Sequence, residues 1–176
     1  EALFASLTPG ELRAVRDVWA SWDVSVQGWE LLAERDLRGF RVAVIAHRVE
    51  GNLHYGALRY PREYNPRGSY PLLILNHGRN NGVGLNIFGG YAAGCFERAF
   101  LLAASYRGEA LRAEPLGLGE LLSEGSSSVI DRDVNDVIAL LNGVLENVAG
   151  VDSTRIVAHG GSRGAGVTGL LAVRDE

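Results

Sequence analysis

The order of hydrophobic and polar residues along the chain predicts strands that alternate with helices. Three short apolar runs, at 71–76, 100–105 and 155–159, are bounded by polar or glycine-rich turns, and each predicts a buried strand. Residues 131–148 instead carry apolar side chains at helical spacing, which predicts an amphipathic helix. Because strands joined through helices usually lie parallel, this alternation predicts a mostly parallel sheet flanked by helices, an α/β fold.

A helix and a β-hairpin are predicted before these strands. Thr8-Pro9-Gly10-Glu11 has the pattern of a helix N-terminus, because Thr8 can cap the first turn and Glu11 can complete a capping box. Residues 40–48 and 53–60 are rich in β-branched and aromatic residues and are separated by a tight turn. They predict two paired strands.

The remaining segments complete a provisional map of the chain. A short helix is predicted at 91–99, an irregular excursion rich in Gly, Glu and Ser at 109–128, and a closing helix at 163–173. We therefore divide the chain into an N-terminal accessory helical segment, 1–38, and the N-terminal part of an α/β domain, 39–176.

Composition and charge exclude several classes of partner. The chain has 176 residues, of which 47% are hydrophobic, as expected for one soluble globular domain. Its formal net charge is −4 and it has no basic stretch, so no nucleic acid is expected to bind. No apolar run approaches the roughly 18 residues that span a bilayer, so no membrane partner is expected. The compartment is unknown, although a chain that starts at Glu1 is compatible with a processed secreted or periplasmic protein.

The residue types that are missing also restrict the chemistry. All 17 basic residues are Arg, which excludes a Schiff-base lysine, a Ser-Lys dyad and a phosphate-loop lysine within this chain. Cys95 is the single cysteine, so no intrachain disulfide can form. The four histidines lack zinc-ligand spacing, and we expect neither a metal nor a cofactor; they are His47, His54, His77 and His159.

The motif that most strongly indicates catalytic chemistry is Gly160-Gly161-Ser162-Arg163-Gly164, which lies between a predicted strand and a predicted helix. This is the pattern of a nucleophile elbow, in which the glycines make room for a sharp turn that lifts the Ser162 hydroxyl above the sheet. The first N–H groups of the helix point to the same place, so the Arg163 N–H can bind a developing oxyanion. A second N–H donor is expected from the His-Gly turn upstream, with Arg79 as first choice and Asn80 in reserve.

Several motifs occur together with this elbow in a fixed order. They are Asn76-His77-Gly78, Ser105-Tyr106-Arg107-Gly108, the 131–148 helix, Val151-Asp152-Ser153-Thr154-Arg155-Ile156 and the elbow itself. In this order, over about residues 40–176, the chain resembles the catalytic domain of the prolyl-oligopeptidase family and esterases of the dienelactone-hydrolase type, both of the α/β-hydrolase superfamily. The resemblance implies a serine hydrolase, either a carboxylesterase or a peptidase, that acts on a small ester or peptide through an acyl-enzyme at Ser162.

The resemblance also implies an Asp and a His that follow the nucleophile. Residues 163–176 contain no His, and the earlier histidines are poorly situated to act as a base. We therefore expect the catalytic Asp and His beyond residue 176, and we expect the chain alone to be inactive, truncated after the elbow helix. A sheet that ended there would leave the 155–159 strand as a bare apolar edge. The rest of the domain, in the same or another chain, is thus a predicted partner, and a homo-oligomer is left open.

Two other functions remain as alternatives. The missing Asp and His are also compatible with a non-catalytic binding or assembly module on a hydrolase scaffold. Gly164-x-Gly166-x-x-Gly169 matches the dinucleotide fingerprint of an NAD(P)-dependent short-chain reductase. That fingerprint follows the first strand of its domain and needs an acidic residue after a second strand, whereas here it follows more than 150 residues and no second strand is predicted.

Structural roles are predicted for several other polar residues. His159 is expected to be a packed core histidine, Cys95 a small core residue, and Arg107 a member of a structural ion pair. Three acids at the start of the 131–148 helix are interpreted as helix-capping charges that interact with the helix dipole: Asp131, Asp133 and Asp136.

Overall fold

A computed structural model describes residues 5–79, 81–128 and 130–174. In these residues the strands are β1 (Gln27–Leu37), β2 (Phe40–Val49), β3 (Asn52–Arg59), β4 (Tyr70–Asn76), β5 (Val83–Gly84), β6 (Phe100–Ala104), β7 (Ala110–Arg112), β8 (Glu120–Leu122) and β9 (Val151–Gly160). The α-helices are α1 (Pro9–Ala20), α2 (Asp133–Asn147) and α3 (Arg163–Arg174). Short 3-10 helices cover Leu85–Tyr91, Gly94–Arg98 and Glu114–Leu116.

The main sheet has six strands in the order β1-β2-β3-β6-β4-β9. The pairs β1–β2, β2–β3 and β3–β6 are antiparallel, whereas β6, β4 and β9 run parallel to one another. The prediction of a mostly parallel sheet is therefore wrong, and the sheet is mixed. The physical reason is that the N-terminal hairpin inserts its own antiparallel pairs into the same sheet instead of lying apart from it.

Both faces of the sheet are covered. Because strand residues alternate between faces, Leu72 and Ile74 point to one side of β4 and Leu73 and Leu75 to the other, and all four are buried. Helices α2 and α3 pack on the first face, which explains the helical spacing of apolar residues at 131–148. The 3-10 helices and a second sheet, β5-β7-β8, pack on the other face.

Most of the regular elements follow the sequence pattern closely. The N-terminus of α1 has the predicted capping box, with the Thr8 N–H donating to Glu11 Oε2 at 2.8 Å and the Glu11 N–H donating to the Thr8 hydroxyl at 3.3 Å. Strands β2, β3, β4 and β6 and helices α2 and α3 agree with the predicted bounds to within about two residues. Among the described residues, no helix is both long enough and apolar enough to cross a membrane.

Three segments differ from the sequence prediction. The 91–99 segment contains the 3-10 helix Gly94–Arg98 rather than an α-helix, and the 109–128 excursion contains β7, a 3-10 helix and β8. Strand β9 starts at Val151, four residues before the predicted start. Glycines at positive φ, at 94, 117, 119 and 125, break the periodic pattern in the first two segments, which accounts for those two misassignments.

Of the N-terminal segment 1–38, the described part, residues 5–38, is only partly helical. Helix α1 ends at Ala20, and Gln27–Leu37 is strand β1, which pairs with β2 along the edge of the main sheet. The register of β1 shifts twice and Gly28 has a φ of 60°, so no clean alternation of apolar and polar residues marks this strand. The boundary at residue 38 stays a prediction.

Candidate active site

The turn between β9 and α3 has the geometry of an elbow. Strand β9 ends at Gly160, helix α3 begins at Arg163, and Ser162 lies exposed between them with a φ of 56°. A non-glycine residue rarely adopts this left-handed conformation, and such strain is concentrated at functional sites. The hydroxyl of Ser162 is thus held at the surface by a strained backbone.

Two of the glycines in the motif are required by close backbone contacts. A Cβ atom at Gly160 would lie 2.3 Å from the Gly164 carbonyl oxygen, and a Cβ atom at Gly164 would lie 2.1 Å from the Asn76 carbonyl oxygen. At Gly161 a Cβ atom would have no neighbour within 4 Å. The Gly-x-Ser-x-Gly spacing therefore reflects the space available where the turn crosses the end of β4.

The second predicted turn lies directly beside this elbow. Strands β4 and β9 are parallel neighbours with Asn76 opposite Gly160, so the turns that follow them leave the sheet at the same edge. A Cβ atom at Gly78 would be 3.4 Å from the Ser162 Cβ and 2.8 Å from the Gly161 carbonyl oxygen. The two motifs that are far apart in sequence are thus in contact, while Asn80 lies outside the described residues.

Hydrogen bonds fix both peptide groups that flank Arg79, whose φ is 62°. The Gly78 carbonyl lies 3.2 Å from His77 Nδ1, and because a carbonyl can only accept, this contact assigns the ring proton to Nδ1. The Arg79 carbonyl accepts from Arg163 Nη1 at 3.1 Å. In a trans peptide the N–H points away from the preceding carbonyl, so His77 determines the direction of the Arg79 N–H.

The Arg163 side chain connects the elbow to three other segments. Its Nε donates to Asp133 Oδ2 at 2.9 Å, Nη1 pairs with Glu109 Oε1, and Nη2 donates to the Ser128 carbonyl at 2.8 Å. The guanidinium also lies 5.0 Å from the centre of the Tyr106 ring. Burial alone would lower the pKa of Arg163, but the hydrogen bonds that it donates to Glu109 and Asp133 raise it. The side chain is therefore a buried structural cation, which the sequence did not indicate.

His77 belongs to the same buried network. Its ring stacks on Tyr106 with the centroids 4.0 Å apart, and its Nε2 lies 3.9 Å from Glu109 Oε2. Burial lowers the pKa of His77 and favours the neutral ring. Glu109 in turn accepts from the Gly82 N–H at 2.9 Å, so the network reaches the chain just after the His77 turn. These contacts suit His77 for holding the turn.

The acids at the start of α2 have a different role from the predicted one. Asp133 and Asp136 are completely buried, and they pair with Arg163 and Arg107 instead of acting only on the helix dipole. Asp136 accepts from Arg107 Nη2 at 2.6 Å and from the Arg107 N–H at 2.8 Å, so the ion pair predicted for Arg107 is confirmed. Burial raises the pKa of Asp136 to about 6, although Arg107 opposes that shift.

Two predictions about single residues are wrong. His159 is exposed on β9, because this strand is the edge of the sheet in the described residues and one of its faces has little cover. Cys95 is exposed on a 3-10 helix and is not a core residue. In the described part of the chain, no side chain bonds the Ser162 hydroxyl, and no three His, Cys, Asp or Glu residues cluster as metal ligands would.

No family model and no curated protein sequence matches this chain. Solved structures do match. An acetyl xylan esterase from Paenibacillus sp. R4 aligns with a TM-score of 0.60 and 19% identity, covering 91% of this chain and 53% of the esterase. A cold-adapted esterase from an Arctic intertidal metagenomic library gives a TM-score of 0.59 and 16% identity, with 85% of this chain and 62% of the esterase covered.

A third match is a protein assigned as dipeptidyl aminopeptidase IV from Bacteroides ovatus ATCC 8483. Its TM-score is 0.57 at 18% identity, and the alignment covers 77% of this chain and 20% of that protein. The chain thus spans about half the length of the acetyl xylan esterase and a smaller part of the aminopeptidase. The mixed sheet flanked by helices and these alignments show an α/β fold that matches part of the α/β-hydrolase folds of these proteins.

Proposed function

We propose that this chain supplies the nucleophile and the oxyanion-binding turn of a serine hydrolase. The observation that carries the proposal is the exposed Ser162 at positive φ, in a strand–turn–helix elbow and in contact with the turn at Gly78. A serine in an ordinary Gly-Ser loop has no need of a strained backbone that is enforced by two close glycine contacts. Strain of this kind is maintained where it orients a reactive group.

In the proposed reaction, Ser162 Oγ attacks the carbonyl carbon of an ester or a peptide bond. The Oγ proton passes to the His that is expected beyond residue 176, and the expected Asp orients that ring. The carbonyl oxygen gains the negative charge and accepts hydrogen bonds from the Arg163 and Arg79 N–H groups. The leaving alcohol or amine takes the proton, and water then hydrolyses the acyl-enzyme to release the acid.

The substrate class is a small carboxylic ester or a short peptide. Of the three matches described above, two are esterases by name and the third is an aminopeptidase, and at this level of identity the shared fold does not distinguish between the two reactions. Hydrolysis of p-nitrophenyl acetate and of a dipeptidyl p-nitroanilide, measured side by side on the full-length protein, separates them. No cofactor takes part in either reaction.

The alternatives predict different behaviour. A non-catalytic module would fold in the same way but would leave Ser162 unreactive. The reductase interpretation gains no support from the fold, since the glycine-rich turn follows β9 at one edge of the sheet rather than the first strand of a nucleotide-binding unit.

A fluorophosphonate probe tests the proposal on the full-length protein. We expect covalent labelling at Ser162 and its complete loss in Ser162→Ala. Ser153→Ala is the matched control, because Ser153 is also exposed but lies within β9, near its start and away from the elbow. Folded protein that remains unlabelled would favour the binding module, and binding of NADPH in its place would favour the reductase.

A further inference from the structure

A cavity lies at the opposite end of the sheet from Ser162. Val42 pairs with Arg59 at the end of β3, and Arg59 pairs with Leu101 near the start of β6, so the cavity lies where the parallel strands begin. The elbow follows the other end of these strands, where β9 ends at Gly160. The cavity has a volume of about 460 Å³, within the range of small-molecule sites. Its apolar walls are Leu37, Phe40, Val42, Leu85, Phe88 and Pro115.

The wall of this cavity contains a buried cation that forms no direct ion pair with a described residue. Arg59 is 1% exposed and donates to the Tyr91 carbonyl at 2.8 Å and to the Phe96 carbonyl at 2.5 Å. Its Nε has no hydrogen-bond partner among the described residues, and none of the ion pairs between described residues includes Arg59. Burial lowers the pKa of Arg59 to about 10, which still leaves the side chain charged at neutral pH. Buried charges are ordinarily paired.

The surroundings of Arg59 add further positive charge. The guanidinium carbons of Arg59 and Arg62 lie 4.1 Å and 4.5 Å from the centre of the Phe40 ring, and Arg38 also lines the cavity. Glu97 offsets part of this charge: its Oε2 lies 3.3 Å from Arg62 Nε, and its negative charge partly opposes the effect of burial on the pKa of Arg59. Among the described residues that line the cavity, Asp36 is the single acid and three are arginines, so positive charge is in excess there. An anion would complement this wall.

We propose that this cavity binds a small carboxylate that carries an apolar chain. The carboxylate would pair with Arg59 and Arg62, because a guanidinium presents donors in a plane that matches two carboxylate oxygens. The chain would lie against Val42, Leu85 and Phe88, where it is removed from water. The site is separate from Ser162, and its occupancy does not depend on hydrolysis.

Calorimetric titration of the full-length protein with octanoate tests the charge and the chain together. Acetate has the same carboxylate without the long alkyl chain, and octanol has an alkyl chain of the same length without the negative charge. We expect octanoate to saturate one site and both analogues to bind at least about tenfold more weakly, as loss of a charge-assisted pair or of an apolar chain predicts. Arg62→Gln should weaken octanoate binding about tenfold as well. Its side chain is 44% exposed, so the fold should persist.

A pair of neighbouring alanines tests the location. Ala92 lines the cavity and Ala93 does not, yet both are exposed. Ala92→Trp should reduce octanoate affinity at least about tenfold by filling the cavity, while Ala93→Trp leaves it unchanged. The proposal is overturned if octanoate shows no saturable binding, if octanol binds equally well, or if Ala92→Trp binds like the wild type, which would locate octanoate elsewhere, including beside Ser162. A urea midpoint for each variant verifies that it is folded.

Discussion

At the scale of single residues, the elbow depends on two glycines that admit backbone carbonyls where a side chain would not fit. Gly160 faces the carbonyl of Gly164, and Gly164 faces the carbonyl of Asn76. Both contacts are with main-chain atoms, which cannot move aside as the end of a flexible side chain can. Each glycine therefore contributes to stability as well as to the direction of the Ser162 hydroxyl.

Alanine substitutions in the elbow should distinguish a glycine that close contacts require from one at which a side chain fits. We expect Gly164→Ala to lower the free energy of unfolding by about 3 kcal/mol, because its Cβ would overlap the Asn76 carbonyl. Gly161→Ala has open space around its Cβ and should change stability by less than about 0.5 kcal/mol. Urea denaturation of both variants checks this. Equal stability of the two would show that the turn is not held by close packing.

The Arg163 side chain is a positioning residue in the proposed site. Its guanidinium donates hydrogen bonds to the Arg79 carbonyl, to Asp133 and to Glu109. A lysine has the same charge, but it lacks the planar guanidinium whose several N–H groups reach all three acceptors. We expect Arg163→Lys to slow fluorophosphonate labelling of Ser162 about tenfold or more, since a displaced oxyanion donor costs at least that much.

The matched control for this experiment is an arginine in an exposed ion pair. Arg155→Lys alters the pair with Asp152, in which the arginine side chain is 51% exposed, and it should label at the wild-type rate. Labelling is compared at a temperature at which both variants are folded. An unchanged rate in Arg163→Lys would remove Arg163 from the positioning of the site.

Residues near the nucleophile could be predicted from sequence to different extents. Ser162 and the His77 turn are marked by local glycine patterns that a strand end requires. The partners of Arg163 are not marked in this way: Asp133 is 30 residues away and Glu109 is 54 residues away, in a segment without periodicity. Long-range ion pairs of this type depend on how elements pack, and a single sequence carries no local signal for them.

At the scale of elements, the β2–β3 hairpin contains a buried pair of histidines. His47 and His54 are opposite each other in the ladder, with their ring centroids 6.0 Å apart, and their exposures are 1% and 0%. Burial lowers the pKa of His47 to about 3 and that of His54 to about 4. Each histidine is therefore neutral in the folded protein at a pH at which it is charged in the unfolded chain.

This pair should make the fold sensitive to acid. As pH falls through about 6.5 the unfolded histidines bind protons and the folded ones do not, so stability is lost progressively until about pH 3 to 4. Between about pH 7 and pH 5 each histidine should cost about 2 kcal/mol. Asp136, whose pKa is raised to about 6, acts in the opposite direction and offsets about 1 kcal/mol of this loss.

His47→Leu isolates the effect. We expect this variant to lose about 2 kcal/mol less than the wild type between about pH 7 and pH 5, in urea denaturation at both values. His159→Gln is the control, since it removes a histidine that is exposed and lies outside the hairpin. If His47→Leu follows the wild-type pH profile, His47 does not titrate differently in the folded state.

Elements differ in how much of their structure a sequence reveals. Strand β4 and helix α2 have apolar patterns that match their burial, so their bounds could be predicted. Strand β1 lies at an edge of the sheet and carries charges at Glu30, Glu34 and Arg35, so it resembles a polar segment. Edge strands are stabilised by pairing with a neighbour, and that neighbour is not visible in their own residues.

At the scale of the whole molecule, the sheet has two unequal edges. Strand β1 is partly protected by its charged residues and its irregular register. Strand β9 has one register shift near its start, then pairs without a shift with β4 from Ile156 to Gly160, and among the described residues it pairs along that side alone. Val157 on β9 is 60% exposed, and it is in the middle of that strand. The order of strands could not be predicted from spacing, because pairing of β3 with β6 joins segments that are far apart in sequence.

The β9 edge should cause residues 1–176, expressed on their own, to associate. An exposed strand with unpaired N–H and C=O groups and an apolar side chain is a template for another strand, and a lysine in it opposes pairing through the cost of burying its charge. We expect light scattering across a dilution series to show oligomers for the wild type and mainly monomer for Val157→Lys.

Val173→Lys is the matched control, because Val173 is 51% exposed but lies on helix α3, so this variant should associate like the wild type. A wild-type chain that stays monomeric at all concentrations would contradict the prediction, and equal loss of association in both variants would assign it to net charge rather than to the strand edge.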